Sequence, residues 1–133
     1  MKKVVIAIIV CTSLFLVSCK EKPITTIYTI GCIGFQSGNI DPTDWTAVET
    51  YFSSQVAYNE KVQYEGKSQA ENDAQALQYY NEQVSKLDTE YICSLIKGTD
   101  YLIYGIQTLN SDGTYRTLGA IQFQHEGTSE PTR

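Results

Sequence analysis

The sequence predicts an α+β fold: a two-layer sandwich whose mainly antiparallel sheet, an N-terminal strand plus a C-terminal three-stranded meander, is covered by two helices. Three observations carry this expectation. A run rich in Ile, Thr and Tyr spans Ile24 to Phe35. Two later stretches combine helix-start residues with apolar side chains spaced three and four apart. The C-terminal half then reads as three strands joined by two pairs of turn residues, Gly98-Thr99 and Asp112-Gly113.

The first strand follows from its composition, since β-branched and aromatic side chains suit a pleated, half-buried surface. Gly34, Gly38 and Asn39 break it. Asp41-Pro42-Thr43-Asp44 then starts a helix: Asp41 is placed to accept from free backbone N–H groups, and Pro42 sits where its missing N–H costs nothing. Trp45, Val48 and Phe52 share one face, so this helix should run to about Gln55. From Val56 to Gly66 two readings stay open. Val56, Tyr58, Val62 and Tyr64 occupy even positions, as in a strand, but the segment also suits frayed helix and loop. Ser68-Gln69-Ala70-Glu71 fits a capping box. Ala70, Ala74, Leu77, Tyr80, Val84 and Leu87 make an apolar stripe for the helix that follows.

Three strands are expected next, Tyr91 to Lys97, Asp100 to Leu109 and Thr114 to Gln124, joined by two-residue turns. Tight turns fix the register. Leu95 should face Leu102 and Cys93 should face Tyr104; in the second hairpin Leu102 faces Phe123, Tyr104 faces Ile121 and Thr108 faces Thr117. The core face then holds Tyr91, Cys93, Leu95, Leu102, Tyr104, Ile106, Ile121 and Phe123. The opposite face collects Ile92, Ile96, Tyr101, Ile103, Leu118 and Ala120, more apolar than a face open to water requires. Residues 125–133 are polar, with Gly127 and Pro131, and read as a frayed tail.

The N-terminus carries an address. Lys2 and Lys3 precede an uncharged stretch from Val4 to Val17, and its 14 residues span only about 21 Å as a helix, against a bilayer core of about 30 Å. The stretch ends in Leu16-Val17-Ser18-Cys19, which resembles the lipobox of bacterial lipoproteins. The resemblance covers the signal and its cleavage point only. It implies that residues 1–18 are removed and that Cys19 carries acyl chains holding the protein on a membrane, outside the cytoplasm in the bacterial envelope, on the outer membrane in a Gram-negative cell. Two or three chains anchor durably, at about 0.8 kcal/mol per buried methylene. Residues 19–23 then form a lipidated tether to one domain, residues 24–124.

Removing 18 of the 133 residues leaves 115, enough for one domain. Lys2 and Lys3 leave with the signal, so eight basic residues face 15 acidic ones, a net charge of −7. Nucleic acid is excluded as a partner, since phosphate binding rests on clustered Lys and Arg. Cys11 also leaves and Cys19 is spent on lipid. Cys32 and Cys93 remain as the pair that can form a disulfide in an oxidising compartment.

No residue set points to catalysis, a metal or a cofactor. The single histidine, His125, lies at the start of the polar tail, away from any rigid partner. Gly31, Gly34 and Gly38 do not have phosphate-loop spacing, and Asp41 and Asp44 put negative charge where a phosphate would sit. Asn110-Ser111-Asp112-Gly113 lacks the first and last ligands of a calcium loop. The expected function is therefore a non-catalytic protein-binding or accessory module, working through Ile92, Ile96, Tyr101, Ile103 and Leu118 on another protein or a second copy of itself. The alternatives are a glycan-binding module using tyrosines such as Tyr101 and Tyr115, and a small envelope hydrolase with paired carboxylates.

Overall fold

The computed structural model describes residues 22–38 and 42–131. The signal segment, Cys19 and the helix-start Asp41 lie outside the described residues. The elements run β1 (Ile24–Gln36), α1 (Pro42–Gln55), β2 (Glu60–Gly66), α2 (Gln69–Val84), α3 (Thr89–Leu95), β3 (Tyr101–Leu109), β4 (Tyr115–Gln124) and β5 (Gly127–Ser129). The fold is α+β, with an antiparallel five-stranded sheet in the order β2-β1-β3-β4-β5 among the described residues. The expected strand and meander are present, but the meander is β3-β4-β5, shifted one strand along the chain.

Tyr91 to Lys97 is not a strand. It forms α3 because the Asp88 carboxylate accepts from the Tyr91 N–H at 3.1 Å, nucleating a turn. Ile92 and Ile96, four apart, then fall together and are fully buried. High β propensity here yields to the cap and to burial. Gly98-Thr99 accordingly joins a helix to a strand: Gly98 takes φ 65° and the Asp100 N–H bonds the Lys97 carbonyl at 3.2 Å. The pairings of Leu95 with Leu102 and Cys93 with Tyr104 fall with the missing strand. Tyr91, expected in the core, is 45% exposed.

Helix α2 has the expected start, since the Ser68 hydroxyl accepts from the Glu71 N–H at 3.1 Å. Glu71 reaches back one residue further than a capping box requires and accepts from the Lys67 N–H at 2.6 Å. Its buried face differs from the expected stripe. Asn72, Ala76, Tyr80 and Gln83 face the core, while Ala70, Ala74 and Leu77 are exposed. Two of the four buried residues are polar because each serves the backbone. Asn72 Nδ2 donates to the Ile24 carbonyl at 2.8 Å, and Gln83 Oε1 accepts from the Ala57 N–H at 2.9 Å.

The β3–β4 pairing is half as expected. Leu102 faces Phe123 and Tyr104 faces Ile121, but Thr108 faces Arg116 rather than Thr117. The loop holds three residues, Ser111 to Gly113, not two: the Asn110 N–H bonds the Thr114 carbonyl at 2.7 Å and Gly113 takes φ 87°. Leu118 is then an extra residue on β4, a bulge that restores the expected register beyond it. The two departures cancel over the core. Beyond β4, the polar tail contributes β5, which pairs with Gln122–Gln124.

The core lies between the sheet and the helices. Phe52 of α1 meets Tyr58, Tyr104 and Phe123 at ring separations of 5.4, 5.4 and 5.7 Å, and Tyr80 of α2 stacks on Tyr104 at 5.8 Å. The Tyr104 hydroxyl donates to the Ala57 carbonyl at 2.6 Å and that of Tyr80 to the Tyr104 carbonyl at 3.2 Å. Both polar groups of the buried Ala57 residue are thus satisfied by core side chains.

Candidate interaction surface

Strand alternation divides the sheet residues into two faces. Tyr28, Ile30, Leu102, Tyr104, Ile106 and Phe123 point to the helices and are fully buried. Their neighbours point away. At one end of this outer face Ile27, Leu109 and Tyr115 are 52, 59 and 63% exposed, with Leu109 directly opposite Tyr115. A polar row follows, in which Thr29 pairs with Lys61 and Gln107, and Gln107 pairs with Thr117. Toward the other end lie Ile33, Tyr101, Ile103 and Ala120, all half-buried. A side chain on Gly105 would meet Ile33 Cδ1 at 2.6 Å, and one on Gly34 would meet Ile103 Cδ1 at 3.2 Å. Ile33 and Ile103 therefore lie flat over glycine backbone, which accounts for their partial burial without a covering layer.

The sequence-derived surface is thus split. Tyr101 and Ile103 lie on the outer face as expected, but Leu118 is a bulge residue of β4 packed against the core, and Ile92, in α3, and Ile96, at its C-cap, are fully buried. The assignment of Ile92 and Ile96 to the outer face failed because it rested on the strand that α3 replaces. What enlarges the surface instead is Ile27, Ile33, Leu109 and Tyr115. The alternation of β1 and β3 could have revealed Ile27, Ile33 and Leu109, whereas Tyr115 reaches this face only through the bulge at Leu118.

Both cysteines among the described residues, Cys32 and Cys93, are free. Cys32 lies on β1 opposite Tyr104, and its thiol donates to the Gly34 carbonyl at 3.4 Å. Cys93 is buried on α3. The expected disulfide presupposed neighbouring strands, and with Cys93 on a helix that geometry is gone. Burial pushes both thiols up from their ordinary value, so neither is primed as a thiolate. Cys93 and His125 do line one cavity with Glu90 and Glu126 between α3 and the β4–β5 turn, of about 470 Å³. The His125 ring, however, is turned to the Ile96 carbonyl, with Nδ1 at 3.1 Å. No group of three or more His, Cys, Asp or Glu side chains among the described residues could hold a metal ion.

The most connected polar cluster joins the start of α2 to the sheet. Arg116 holds Asp73 with two bonds of 2.8 and 3.0 Å, the Tyr28 hydroxyl donates to Asp73 Oδ1 at 2.6 Å, and Gln69 Nε2 donates to the same oxygen at 2.9 Å. The Arg116 bonds hold the Asp73 carboxyl down at about 2, and burial with the neighbouring carboxylate pushes Tyr28 up to about 12. The cluster ties layers together, as a carboxylate whose acceptor sites are filled by its own neighbours is suited to do. Because Asp73 is depressed in the folded state, its contribution is fully present above the ordinary value of 3.8 and fades as pH falls toward about 2. Arg116 is 40% exposed, so solvent screening limits the contribution to about 1–2 kcal/mol. In urea unfolding of the full chain between pH 5 and 2, Asp73→Asn should lower stability at pH 5 and flatten the acid dependence. An unchanged slope would remove Asp73 as its source.

Comparison with protein-family models, curated proteins and solved structures finds no match for this chain, so its functional reading rests on these surfaces alone.

Proposed function

We propose that this protein is a non-catalytic binding module of the bacterial envelope, held on the membrane by acyl chains on Cys19, that engages a protein partner through the outer face of its sheet. One observation carries the reading: α1, α2 and α3 supply the core on one face, while the other presents Ile27, Leu109 and Tyr115 to solvent. At about 25 cal/mol per Å² of apolar area removed from water, covering such a face favours association, offset in part by the entropy of binding. The polar row between its apolar ends sets the kind of partner, a protein surface with apolar contacts flanking hydrogen-bonding groups.

A glycan is the less favoured ligand. Tyr101 and Tyr115 stand near opposite ends of the outer face, about 26 Å apart if measured as eight residues at about 3.3 Å along a strand, too far to stack on adjacent sugars.

The test is Ile103→Glu in the full chain. Ile103 lies on the outer face, so the carboxylate stays in reach of water. Thermal unfolding should move by only a few degrees, equivalent to about 1 kcal/mol, while crosslinking from position 101 in living cells should lose the captured protein. Gross unfolding, or a capture pattern the substitution leaves intact, would count against the reading.

A further inference from the structure

Seven large apolar side chains are exposed among the described residues, and four of them, Ile24, Ile27, Leu109 and Tyr115, stand at one end of the sheet. Tyr28 pairs with Thr108, so the next residue on each strand sets Leu109 beside Ile27, and Leu109 pairs with Tyr115. Ile27, Leu109 and Tyr115 therefore form a row across three neighbouring strands, in steps of about 4.8 Å. The chain enters the domain at this same end, because Ile24 is the first residue of β1. Cys19 precedes Ile24 by five residues, and a residue spans at most about 3.6 Å, so Ile24 lies within about 18 Å of the acylated position. From Ile24 to the row is a further step of about 10 Å along β1.

We propose that the bilayer holding the acyl chains of Cys19 is the resting cover of this row: until a protein takes the outer face, the domain leans over with Ile27, Leu109 and Tyr115 in the lipid interface. The inference rests on the Cys19 anchor proposed above. Its occupant follows from the tether. A free protein or a second copy has to diffuse to the row, whereas the chain itself holds the lipid surface within reach, at an effective concentration on the order of millimolar for a short linker. A contact too small to recruit a protein from solution is then enough to hold the domain down. The side chains suit that cover. Isoleucine and leucine enter the apolar boundary, and a tyrosine ring sits there with its hydroxyl among the headgroups. Lys61 pairs with Thr29 on the same face, about 7 Å beyond the row, where its ammonium can reach lipid phosphates. Of the acidic groups at this end, Asp112 accepts from the Thr114 N–H at 2.9 Å, and Glu65 is on β2, two strands from Leu109. A protein partner must lift the row from the lipid before it can bind there, so the two covers exclude each other.

The experiment uses the acylated protein in vesicles of phosphatidylethanolamine and phosphatidylglycerol, with no other protein present. A photocrosslinking residue at position 109 or 115 should give an adduct of one chain and one phospholipid. Position 78 is the control. Gln78 is exposed on α2, six residues past Asn72, which bonds the Ile24 carbonyl, so it stands about 9 Å above Ile24, level with the row but on the opposite layer. Its adduct yield should be lower by about tenfold or more. Leu109→Asp combined with Tyr115→Asp should reduce the adduct from position 27 by a similar factor. Both side chains are more than half exposed, and thermal unfolding measured alongside shows that the fold persists. If the pair fails to fold, Leu109→Asp alone serves the same purpose. Equal lipid yields at 78, 109 and 115, a product of twice the chain mass at 109 in place of the lipid adduct, or an adduct at 27 that survives the substitutions would each overturn the proposal. The mass of the N-terminal peptide keeps the failures apart. Cys19 without acyl chains removes the anchor and this inference with it, whereas acylated protein without lipid adducts at 109 and 115 removes this inference alone. Because no partner protein is present, neither result touches the capture at position 101 that tests the outer-face reading.

Discussion

Replacing Phe52 with alanine is expected to cost about 3–5 kcal/mol, the range for removing a large aromatic side chain from a packed core. Phe52 is fully buried and its ring is the meeting point of α1, β3, β4 and the segment before β2, in contact with Tyr58, Tyr104 and Phe123. The surrounding rings cannot close the gap easily, because Tyr104 is held at both ends. Its hydroxyl is bonded to Ala57 and its own carbonyl accepts from Tyr80. Against a typical total of about 5–15 kcal/mol for a domain, the variant should unfold at much lower urea. A loss below about 1 kcal/mol would mean that the aromatic cluster is not the centre of the core.

The second large effect is expected at Gly31. It takes φ 154°, and a side chain there would lie 2.3 Å from the Asn59 backbone nitrogen and 2.4 Å from Asn59 Oδ1. Asn59 cannot withdraw cheaply. Its Oδ1 accepts from the Cys32 N–H at 3.2 Å, and it sits at φ 56° immediately before β2. Gly31→Ala therefore combines a backbone clash with an unfavourable dihedral, at about 3 kcal/mol or more in total. Gly113→Ala separates the two contributions. Gly113 has φ 87° and open space around it, so only the dihedral cost of about 1–2 kcal/mol remains. Urea unfolding of both variants should rank them in that order, and equal losses would show that the contact with Asn59 is not what makes Gly31 necessary.

Much of this architecture was legible in the residues because local chemistry and final burial agree. β1, α1, the Ser68 start of α2, and β3 with β4 lie where propensity, caps and spacing place them. Disagreement arose where a local signal competed with a tertiary one. Tyr91 to Ile96 has the composition of a strand, but Asp88 offers a cap and the Ile92–Ile96 spacing suits a helix lying on the core. Along α2, counting apolar residues favoured Ala70, Ala74 and Leu77, whereas the core takes Asn72 and Gln83 because the Ile24 carbonyl and the Ala57 N–H need partners there. Such needs cannot be seen before the chain is folded. The outer face shows the same mixture: Tyr101 and Ile103 follow from alternation, Leu118 is turned to the core side by the bulge it forms, and Ile92 and Ile96 were lost with the misassigned strand.

The place of β1 in the sheet order also governs when the sheet can be assembled. It is the first strand in the chain, yet its neighbour on one side is β3, and the Thr108 hydroxyl that bonds the Ile27 carbonyl is 81 residues away. Closing so long a loop is slow compared with forming a hairpin, because the entropy must be lost before the contacts that offset it are made. β3, β4 and β5 are local to one another and can pair as soon as they exist. β1 and β2, synthesised much earlier, have only each other as sheet neighbours until β3 is available, with α2 as the layer that can pack on them. During synthesis, the side of the core that Tyr28 and Ile30 share with β3 therefore waits for the last quarter of the chain.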